Sequence, residues 1–344
     1  MMRYVRLGLL CVLVLALSGL ARPARQQRVV AIGDVHGEYE GFVGILQRAR
    51  LIDPSKRWAG GNTILVQTGD ILDRGPVARA VMDLLMSLQK DAPRQSGRVI
   101  VLLGNHEAMN LYGDLRYVTD KDYAQFAPDR PPASSTRTDS SHPPGFLERC
   151  AALDVDGTYG KWVRTLPAIA RVDDSIFLHG GISPELAAWG VDKLNERIAG
   201  EIKAFDAYKH YMIDKKIAPP CSTLEELTKS AQAAVPKAKG KDAEVLKGFL
   251  EYPSWLTINE KGPLWFRGYA EWDNDEGNRQ MDQLMHAFEV TRFIVGHTVQ
   301  KNGEIVPRFN DRVYLIDTGM LSSYFPGGRA SALNIQDGKV TTLY

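Results

Sequence analysis

The sequence predicts an α/β fold with parallel strands, and two observations carry this prediction. Short apolar runs rich in β-branched residues recur along the chain, and glycine bounds most of them, as is typical of buried strands. Helical patterns lie between the early runs, and in residues 38–50 Phe42, Ile45 and Ala49 fall on one helix face. Strand–helix–strand order indicates parallel neighbours, because parallel strands need a long crossover connection.

Six apolar runs are predicted to be strands: Val29–Ile32, Thr63–Gln67, Val99–Leu103, Ile176–Leu178, Phe293–Val295 and Val313–Ile316. The first three are separated by two predicted helices. The first helix covers residues 38–50. The second covers residues 76–90 and has Pro76 in its first turn, a position that suits proline.

Two later segments depart from this pattern. Residues 127–145 are rich in Pro, Ser and Thr, which predicts a long loop. Residues 186–256 look more helical than their flanks, with an interruption at Pro236. We expect this second segment to be a helical insertion that caps one side of a cleft.

The N-terminal residues have the pattern of a secretory signal peptide. Arg3 and Arg6 precede an apolar run, Leu7–Leu17, and small residues follow it. The run is shorter than the roughly 20 residues of a membrane span, although a single anchoring helix is the alternative. We expect residues 1–21 to be removed and residues 22–344 to form one domain. The mature protein would then be secreted or periplasmic, without stable membrane insertion.

Composition and cysteine content limit the function classes. The chain is 44% hydrophobic and 24% charged, as globular proteins are, and its net charge of +1 predicts no nucleic-acid partner. Cys150 and Cys221 remain after signal removal, and an oxidising compartment would allow one disulfide between them. Two unpaired buried thiols are the alternative, because the sequence does not give the distance between them.

Polar side chains of the kinds that bind metals and phosphate follow five of the predicted strands, each beside a glycine. They are Asp34 and His36; Asp70, Asp73 and Arg74; Asn105, His106, Glu107 and Asn110; His179; and His297. Because ligands gather at the carboxyl ends of parallel strands, these loops are expected to converge. The other three histidines, His142, His210 and His286, are predicted to be surface or packing residues.

The residue types predict a site for two metal ions. Oxygen and nitrogen ligands without cysteine suit Mn²⁺, Fe or Zn²⁺. The set is too large for one ion, whereas two ions about 4 Å apart, bridged by a carboxylate, form a clamp for displacement at phosphorus. Taken alone, each motif is better interpreted as a turn, a surface histidine or a local ion pair. Their shared position at strand ends favours the metal site.

Four motifs in order, GDVHG, GDILDRG, GNHE and HGG, resemble the signature of the phosphoprotein phosphatase family within the calcineurin-like metallophosphoesterases. The stretches GNHEAMNLYGDLRYVT, GPLWFRGY, VGHTVQKNGEI and IDTGM are similar to the bacterial-origin, Shewanella-like protein phosphatases. The resemblance runs from about Arg28 to the C-terminus. It implies two mixed β-sheets packed as a sandwich with helices outside (α/β/β/α), and a site at one edge.

The resemblance also implies roles for individual side chains. Asp34 and His36 would bind the first metal, Asp70 would bridge both metals, and the second metal would be bound by Asn105, His179 and His297. His106 would be the general acid, oriented by Asp73, while Arg74 and Arg267 would contact the substrate phosphate. Second-rank candidates are Asn110, Asp317 and Tyr324.

The implied activity is hydrolysis of phosphomonoesters, in which two metal ions activate a water that attacks phosphorus as hydroxide. Mn²⁺ is the preferred metal, with Fe or Zn²⁺ as alternatives. The expected substrate is a phosphorylated protein or peptide, carrying phosphotyrosine, phosphoserine or phosphothreonine. A small-molecule phosphoesterase, such as a nucleotide or dinucleoside polyphosphate hydrolase, is the alternative, and a non-catalytic metal-binding module is a third possibility.

The sequence departs from the eukaryotic members at two places, and the second bears on the binding of regulatory subunits. Ile71 and Leu72 stand where those members carry an aromatic residue and valine, with little expected consequence. The eukaryotic carboxy-terminal motif is absent, and LIDTGMLSSYFPGG stands in its place. Binding of a eukaryotic type of regulatory subunit is therefore not expected.

Overall fold

The computed structural model describes residues 27–128 and 142–344. Its strands are β1 (Val29–Ile32), β2 (Ile64–Gln67), β3 (Arg98–Val101), β4 (Ile169–Val172), β5 (Ser175–Leu178), β6 (Arg292–Val295), β7 (Val306–Arg308), β8 (Val313–Leu315), β9 (Ala332–Gln336) and β10 (Lys339–Leu343). Its α-helices are α1 (Tyr39–Arg48), α2 (Ala78–Asp91), α3 (Asn105–Tyr112), α4 (Asp120–Ala124), α5 (Phe146–Leu153), α6 (Thr158–Val163), α7 (Gly190–Asp214), α8 (Leu224–Ala234), α9 (Gly240–Phe249), α10 (Gly268–Glu271) and α11 (Asn274–Phe288). Short 3₁₀ helices cover Ala92–Gln95, Pro184–Trp189, Val235–Lys237 and Tyr252–Ser254.

Two segments with sequence-based predictions fall outside the described residues. The predicted signal peptide, residues 1–21, lies there, and so does most of the predicted loop at 127–145. Among the described residues, no helix combines the length and the apolar character needed to cross a membrane.

The described strands form two mixed sheets of five strands each. The first sheet has the order β10–β9–β1–β2–β3, and the second has the order β4–β5–β6–β8–β7. Strands β1, β2 and β3 are parallel neighbours, as are β5, β6 and β8. Each sheet therefore presents three adjacent carboxyl ends on one edge, while β4, β7, β9 and β10 run antiparallel to the strands they pair with.

Side-chain alternation along the strands explains why the sheets stack. Val29 and Ala31 of β1 contribute to an apolar layer that also contains Phe177 of β5 and Ile294 of β6. The intervening side chains, such as Val30, belong to the other apolar cluster, which includes the helices. Both faces of the central strands are thus buried, which is why these strands are continuous apolar runs in the sequence. The predicted sandwich of two mixed sheets with outer helices is confirmed.

The six predicted strands are present, with ends displaced by up to two residues. Four strands were not predicted: β4, β7, β9 and β10. β7 and β10 carry partly exposed and polar residues, so they lack the apolar run that marks a central strand. The predicted placement of Pro76 in the first turn of a helix is wrong. Helix α2 begins at Ala78, and Val77 before it is non-helical with a φ of −128°.

The segment 186–256 is largely helical, as its composition predicts. It contains α7, α8 and α9, and the 3₁₀ turn Val235–Lys237 holds Pro236 between the last two. Helix α7 contacts β4, α3 and α11. Cys150 of α5 and Cys221, just before α8, form a disulfide with Cα atoms 5.9 Å apart. Of the two states that the sequence left open for these cysteines, the structure has the bonded one.

Candidate metal centre and active site

The carboxyl ends of six parallel strands from both sheets meet at one edge of the sandwich. Each is followed by at least one buried ligand candidate: Asp34 and His36 after β1, Asp70 after β2, Asn105 after β3, His179 after β5, His297 after β6, and Asp317 after β8. The structure thus brings together all six residues predicted to bind metal. It also adds Asp317, which the sequence placed only among second-rank candidates.

Several of these residues have unusual backbone conformations. His36, Asp70 and His297 have positive φ angles of 46°, 57° and 66°. Asp73 and Arg74 share this left-handed conformation, with φ angles of 68° and 65°. Non-glycine residues adopt it at a cost, and such residues concentrate at functional sites, where the surrounding structure holds them in place.

Glycine allows the loops after β2 and β3 to approach each other closely. A Cβ atom on Gly104 would lie 2.3 Å from Asp70 Oδ1, and one on Gly69 would lie 2.5 Å from the backbone nitrogen of Gly104. Side chains at these two positions would therefore push Asp70 out of the cluster.

The donor atoms form two groups that share Asp70. The ligand atoms of His36, Asp70 and His106 lie within 4.8 Å of one another, and so do those of Asp70, His179 and His297. Asp70 Oδ2 lies 3.6 Å from His36 Nε2, whereas Asp70 Oδ1 lies 3.2 Å from His179 Nε2. The two oxygens of one carboxylate thus face different donor groups, which is the arrangement that a bridging ligand requires.

Asp34 and Asn105 complete the predicted ligand set. Asp34 Oδ2 lies 4.0 Å from His36 Nε2, and Asp34 Oδ1 accepts a hydrogen bond of 3.0 Å from the backbone of His297. Asn105 Oδ1 lies 2.8 Å from His179 Nε2. The structure therefore places Asp34 beside His36 and Asn105 beside His179, as the predicted division between two metals requires.

Three histidines are oriented by backbone carbonyls. His36 Nδ1 pairs with the carbonyl of Leu72 at 2.9 Å, and His179 Nδ1 pairs with that of Thr68 at 2.9 Å. His297 Nε2 pairs with the carbonyl of Trp265 at 3.1 Å. In His36 and His297 one ring nitrogen donates outward, so the other keeps its lone pair directed into the cluster, as in metal sites. The Nε2 of His179 faces Asp70 and Asn105, where a cation would replace its proton. The donor set therefore fits a pair of cations.

Charges inside the cluster also fit cation binding. Burial raises the pKa of Asp34 well above its usual value, and the neighbouring Asp317 raises it further. Burial also raises the pKa of Asp317. For Asp70, burial acts in the same direction, but His179 and His106 outweigh it and hold the pKa well below its usual value. Several buried carboxylates in one place call for positive charge, which protons or metal ions can provide.

The pKa values of the clustered histidines differ because their charged neighbours differ. Burial lowers the pKa of His36 to about 3 although Asp70 opposes it, and burial with the nearby His179 lowers the pKa of His297 well below its usual value. Burial acts the same way on His179, but Asp70 and Asp34 outweigh it and raise the pKa to about 9. His36 and His297 are thus neutral imidazoles, the form that binds metals.

His106, which belongs by distance to the first donor group, is paired with the buried Asp73. His106 Nδ1 lies 2.7 Å from Asp73 Oδ2, and His106 Nε2 lies 3.8 Å from Asp70 Oδ2. Burial lowers the pKa of His106, but the carboxylates of Asp70 and Asp73 outweigh it, so the net pKa is raised. The imidazole is therefore oriented by one carboxylate and presents its second nitrogen to the cleft, as a proton donor would.

The carboxylate of Glu107 holds the loops after β2 and β3 by hydrogen bonds, a role that was not predicted from the sequence. Its carboxylate accepts hydrogen bonds from the backbone nitrogens of Asp70, Ile71 and Leu72 at 2.8 to 3.1 Å. It accepts a fourth from Gly104 at 2.9 Å. Glu107 thus fixes the positions of the loops that follow β2 and β3. Its place in the GNHE motif was the available signal, since a buried carboxylate after a strand needs several partners.

The two predicted phosphate-binding arginines lie beside the cluster. Arg74 donates through a terminal guanidinium nitrogen to His36 Nε2 at 2.6 Å, and its Nε is buried without a hydrogen-bond partner among the described residues. Arg267 is exposed and donates to the backbone carbonyl of His297 at 3.1 Å and to Thr298 Oγ1 at 3.0 Å. Arg74 therefore approaches the first donor group and Arg267 the second.

An aromatic rim, which we define as Tyr117, Tyr324 and Phe325, surrounds Arg74. The centre of its guanidinium lies 5.5, 5.0 and 5.4 Å from the three ring centroids, in that order. Tyr117 is 37% exposed and Tyr324 is 48% exposed, which is unusual for large aromatic side chains among the described residues. Tyr324 was a second-rank candidate, whereas Tyr117 and Phe325 were not predicted.

The chain matches one protein family and is similar in sequence to two protein phosphatases. A profile of the calcineurin-like phosphoesterase family matches residues 27–301. Shewanella-like protein phosphatase 2 of Arabidopsis thaliana is 31% identical, with coverage of 86% of this chain and 72% of that protein. Shewanella-like protein phosphatase 1 of Plasmodium berghei is 25% identical, with coverage of 92% and 74%.

A solved structure of a protein phosphatase is also similar to this chain. The crystal structure of a cold-active protein-tyrosine phosphatase from a psychrophilic Shewanella species superposes with a TM-score of 0.63 at 25% identity, covering 92% of this chain and 77% of that chain. The family profile spans most of the chain, and the strand ends bring together groups of side chains that could hold metal ions. The chain is therefore a member of the calcineurin-like phosphoesterase family.

Proposed function

We propose that this protein is a metal-dependent phosphatase that hydrolyses phosphomonoesters of phosphorylated proteins or peptides. One observation carries the proposal: Asp70 presents its two oxygens to two separate donor groups, 3.6 Å from His36 and 3.2 Å from His179. The pair of His106 and Asp73 lies directly beside them. A two-cation clamp with an adjacent proton donor is the equipment that phosphate ester hydrolysis needs.

The proposed metal ligands follow the two donor groups, with His106 of the first group assigned to proton transfer instead because Asp73 holds its Nδ1. Asp34 and His36 would hold the first cation, Asp70 would bridge, and the second cation would be held by Asn105, His179 and His297. We propose Mn²⁺, with Fe or Zn²⁺ as alternatives, because oxygen and imidazole ligands without thiolate suit these metals. When bound, the cations supply charge stabilisation at the phosphoryl oxygens and a nucleophilic water at neutral pH.

The arginines would bind and orient the phosphate. The buried Nε of Arg74 has no partner among the described residues, so it can donate to a phosphate oxygen. The guanidinium currently uses the lone pair of His36 Nε2, which a cation would take instead. Arg74 would then be free for the substrate, and Arg267 would contact it from the side of His297.

His106 would transfer the proton to the leaving group. Its Nδ1 is held by Asp73, so a proton at Nε2 faces the cleft and can pass to the ester oxygen as the bond to phosphorus breaks. Asp73 orients the ring and favours its protonated form. This contribution matters most when the leaving oxygen is strongly basic.

The aromatic rim supports phosphotyrosine as the preferred substrate. Two partly exposed tyrosines, Tyr117 and Tyr324, lie beside Arg74 and offer faces on which a phenyl ring can pack. The similar Shewanella structure is that of a protein-tyrosine phosphatase. A phosphoserine side chain has no ring to use this surface.

A substrate panel with Mn²⁺ tests the proposal. Phosphotyrosine and phosphoserine peptides and a dinucleoside tetraphosphate would be compared by kcat/KM. We expect phosphotyrosine peptide to be the best substrate. Faster turnover of the dinucleotide would overturn the protein-phosphatase assignment in favour of a small-molecule hydrolase, and absence of turnover on all three would overturn the enzyme assignment.

We further propose that the protein is exported, and that residues 186–256 shape one side of the cleft. The pattern of residues 1–21 and the disulfide between Cys150 and Cys221 support export, because disulfides persist in oxidising compartments. The end of α3 supports the cap, since Gly113 accepts a hydrogen bond of 2.9 Å from Leu224 of α8. Cell fractionation with N-terminal sequencing tests export, and protein found in the cytosol with its leader intact would contradict it.

A further inference from the structure

A buried arginine that belongs to none of the motifs lies behind the proposed proton donor. Arg149 of α5 is 2% exposed, and its guanidinium is held from two sides. Its Nε donates to Asp122 Oδ2 of α4 at 2.8 Å, and a terminal nitrogen donates to Asn110 Oδ1 of α3 at 2.7 Å. A buried arginine is costly unless its donors are paired, so this position is closely determined by its partners.

Arg149 and two acceptors on the opposite side together fix the orientation of the Asn110 amide. Because a guanidinium can only donate, the amide oxygen of Asn110 must face it. The amide nitrogen is thereby turned to the other side, where it donates to Asp73 Oδ1 at 2.8 Å and to the backbone carbonyl of His106 at 2.8 Å. The remaining oxygen, Asp73 Oδ2, pairs with His106 Nδ1 at 2.7 Å. The hydrogen bonds form one continuous chain from Arg149 to the imidazole.

The helix that carries Arg149 is anchored independently of the metal cluster. The neighbouring Cys150 forms the disulfide with Cys221, and the guanidinium lies 5.6 Å from the ring centroid of Tyr123 and 5.8 Å from that of Phe126. Arg149 also lies 3.9 Å from Asp73 Oδ1, so its charge stabilises that carboxylate directly. The Arg149 end of this series of hydrogen bonds is therefore fixed by the fold.

We propose that Arg149 is a positioning residue, which acts through Asn110 and Asp73 to hold the His106 imidazole in the orientation that protonates the leaving group. This inference rests on the proposed phosphatase function. Loss of Arg149 would leave the buried Asn110 amide oxygen without its donor and would remove the positive charge 3.9 Å from Asp73. Asn110 and Asp73 would then hold the His106 ring less firmly, while the donor groups around Asp70 would stay in place.

A series of aryl phosphates with leaving groups of different basicity tests this role in Arg149→Met. Proton donation matters for a basic leaving group and little for p-nitrophenolate. We expect kcat to fall roughly tenfold or more on a phosphotyrosine peptide, and less than about threefold on p-nitrophenyl phosphate, with KM nearly unchanged. An equal loss on both substrates would overturn the inference.

A double-mutant cycle with His106→Asn provides a second test. If Arg149 acts through His106, Arg149→Met causes no further loss on the phosphotyrosine peptide once His106 is replaced. Additive losses would show that Arg149 contributes by another route and would contradict the proposal. If Arg149→Met fails to fold, Arg149→Lys can be used, because it keeps the charge but lacks the planar set of guanidinium donors. The same dependence of kcat on the leaving group is then expected, with a smaller loss.

Arg164→Met is the matched control. Arg164 forms a less deeply buried pair, donating to both oxygens of Asp206 at 2.8 Å, and among the described residues its side chain has no hydrogen bond to Asn110, Asp73 or His106. We expect its replacement to lower stability without any dependence on the leaving group. A leaving-group dependence equal to that of Arg149→Met would assign the effect to general loosening and overturn the proposal.

Proton NMR separates this inference from the proposed function. In the metal-free protein, the Nδ1 proton of His106, bonded to Asp73, should give a downfield signal that is lost in His106→Asn. We expect Arg149→Met to shift or broaden this signal and Arg164→Met to leave it unchanged. An unchanged signal in Arg149→Met would contradict the positioning role even if the wild type has no phosphatase activity, whereas missing activity alone would contradict only the proposed function.

Discussion

The loops that follow the first sheet differ from those that follow the second in how their functional residues are supported. After β2 and β3, Glu107 holds four backbone nitrogens, and Asn110 holds the carboxylate of Asp73. After β5 and β6, His179 and His297 are single ligands, and each is oriented by one backbone carbonyl. The loops after β2 and β3 are thus held by the side chains of Glu107 and Asn110, whereas the rings of His179 and His297 are each held by one backbone carbonyl.

This difference matches two chemical tasks. A proton donor acts only in one direction, so His106 needs a rigid support that exists before substrate binds. A metal ligand is held partly by the cation itself, and a single outer hydrogen bond suffices to orient its ring. Substitutions in the pair of His106 and Asp73, or in the side chains that support it, should therefore damage the chemical step, whereas substitutions of His179 or His297 should weaken metal affinity.

Asp70→Asn gives the largest expected effect, because Asp70 belongs to both donor groups. Amide substitution removes the charge and one of the two bridging oxygens. We expect kcat/KM for p-nitrophenyl phosphate to fall by roughly 10³ or more, with no recovery in excess Mn²⁺. A variant that keeps more than half of its activity would contradict the bridging role.

His106→Asn is expected to come next, and its effect should depend on the substrate. Loss of the proton donor should slow alkyl phosphates by roughly 10²-fold or more and p-nitrophenyl phosphate much less. The exposed His286 supplies the control, since His286→Asn should leave both rates unchanged. Equal losses on the two substrates would remove His106 from the role of proton donor.

His297→Ala tests the second set of loops. His297 belongs to one donor group, so its loss should weaken one cation while the other stays bound. We expect a loss of roughly 10- to 100-fold at limiting Mn²⁺ and substantial recovery at high Mn²⁺. If high Mn²⁺ gives no recovery, the proposed difference between the two sets of loops is wrong.

Tyr324→Ala should have a smaller and selective effect. Removing this exposed ring from the aromatic rim takes away packing surface for a phenyl group. We expect kcat/KM to fall roughly three- to tenfold for a phosphotyrosine peptide and to stay nearly constant for a phosphoserine peptide. Tyr211→Ala serves as control, because Tyr211 lies on α7, is hydrogen-bonded to Asp242 of α9 and is not part of the rim. Equal changes on both peptides would contradict the substrate preference.

The double replacement Cys150→Ser with Cys221→Ser should change activity least. The disulfide joins positions 71 residues apart, and its loss should lower the free energy of unfolding by roughly 2 to 4 kcal/mol. We expect kcat on p-nitrophenyl phosphate to change by less than about twofold, because this substrate needs little proton donation. A large loss on this substrate, in protein that is still folded, would show that α5 affects the metal cluster itself.

The sequence predicted much of the first-sheet region, because its features are local. The segments that form β1, β2 and β3 are largely apolar runs, and their ligands follow within a few residues, as with Asp34 and His36 after β1. The edge strands β7 and β10 escaped prediction, since exposed and polar side chains interrupt any apolar run there.

The supporting side chains were less predictable. Arg149 meets Asp122 and Asn110 across 27 and 39 residues, and the bond from the His297 backbone to Asp34 spans 263 residues. Such contacts depend on how helices and sheets pack, and no local pattern records them. The sequence thus identified groups that do chemistry more readily than groups that hold them.

Metal-binding stoichiometry tests the central claim most directly. Metal-free protein would be titrated with Mn²⁺ and the number of ions bound per chain measured for the wild type, His297→Ala and Asp70→Asn. Two ions for the wild type, one tight ion for His297→Ala and none tight for Asp70→Asn are expected. A wild type that binds a single ion, or an Asp70→Asn variant that still binds two tightly, would contradict the shared carboxylate.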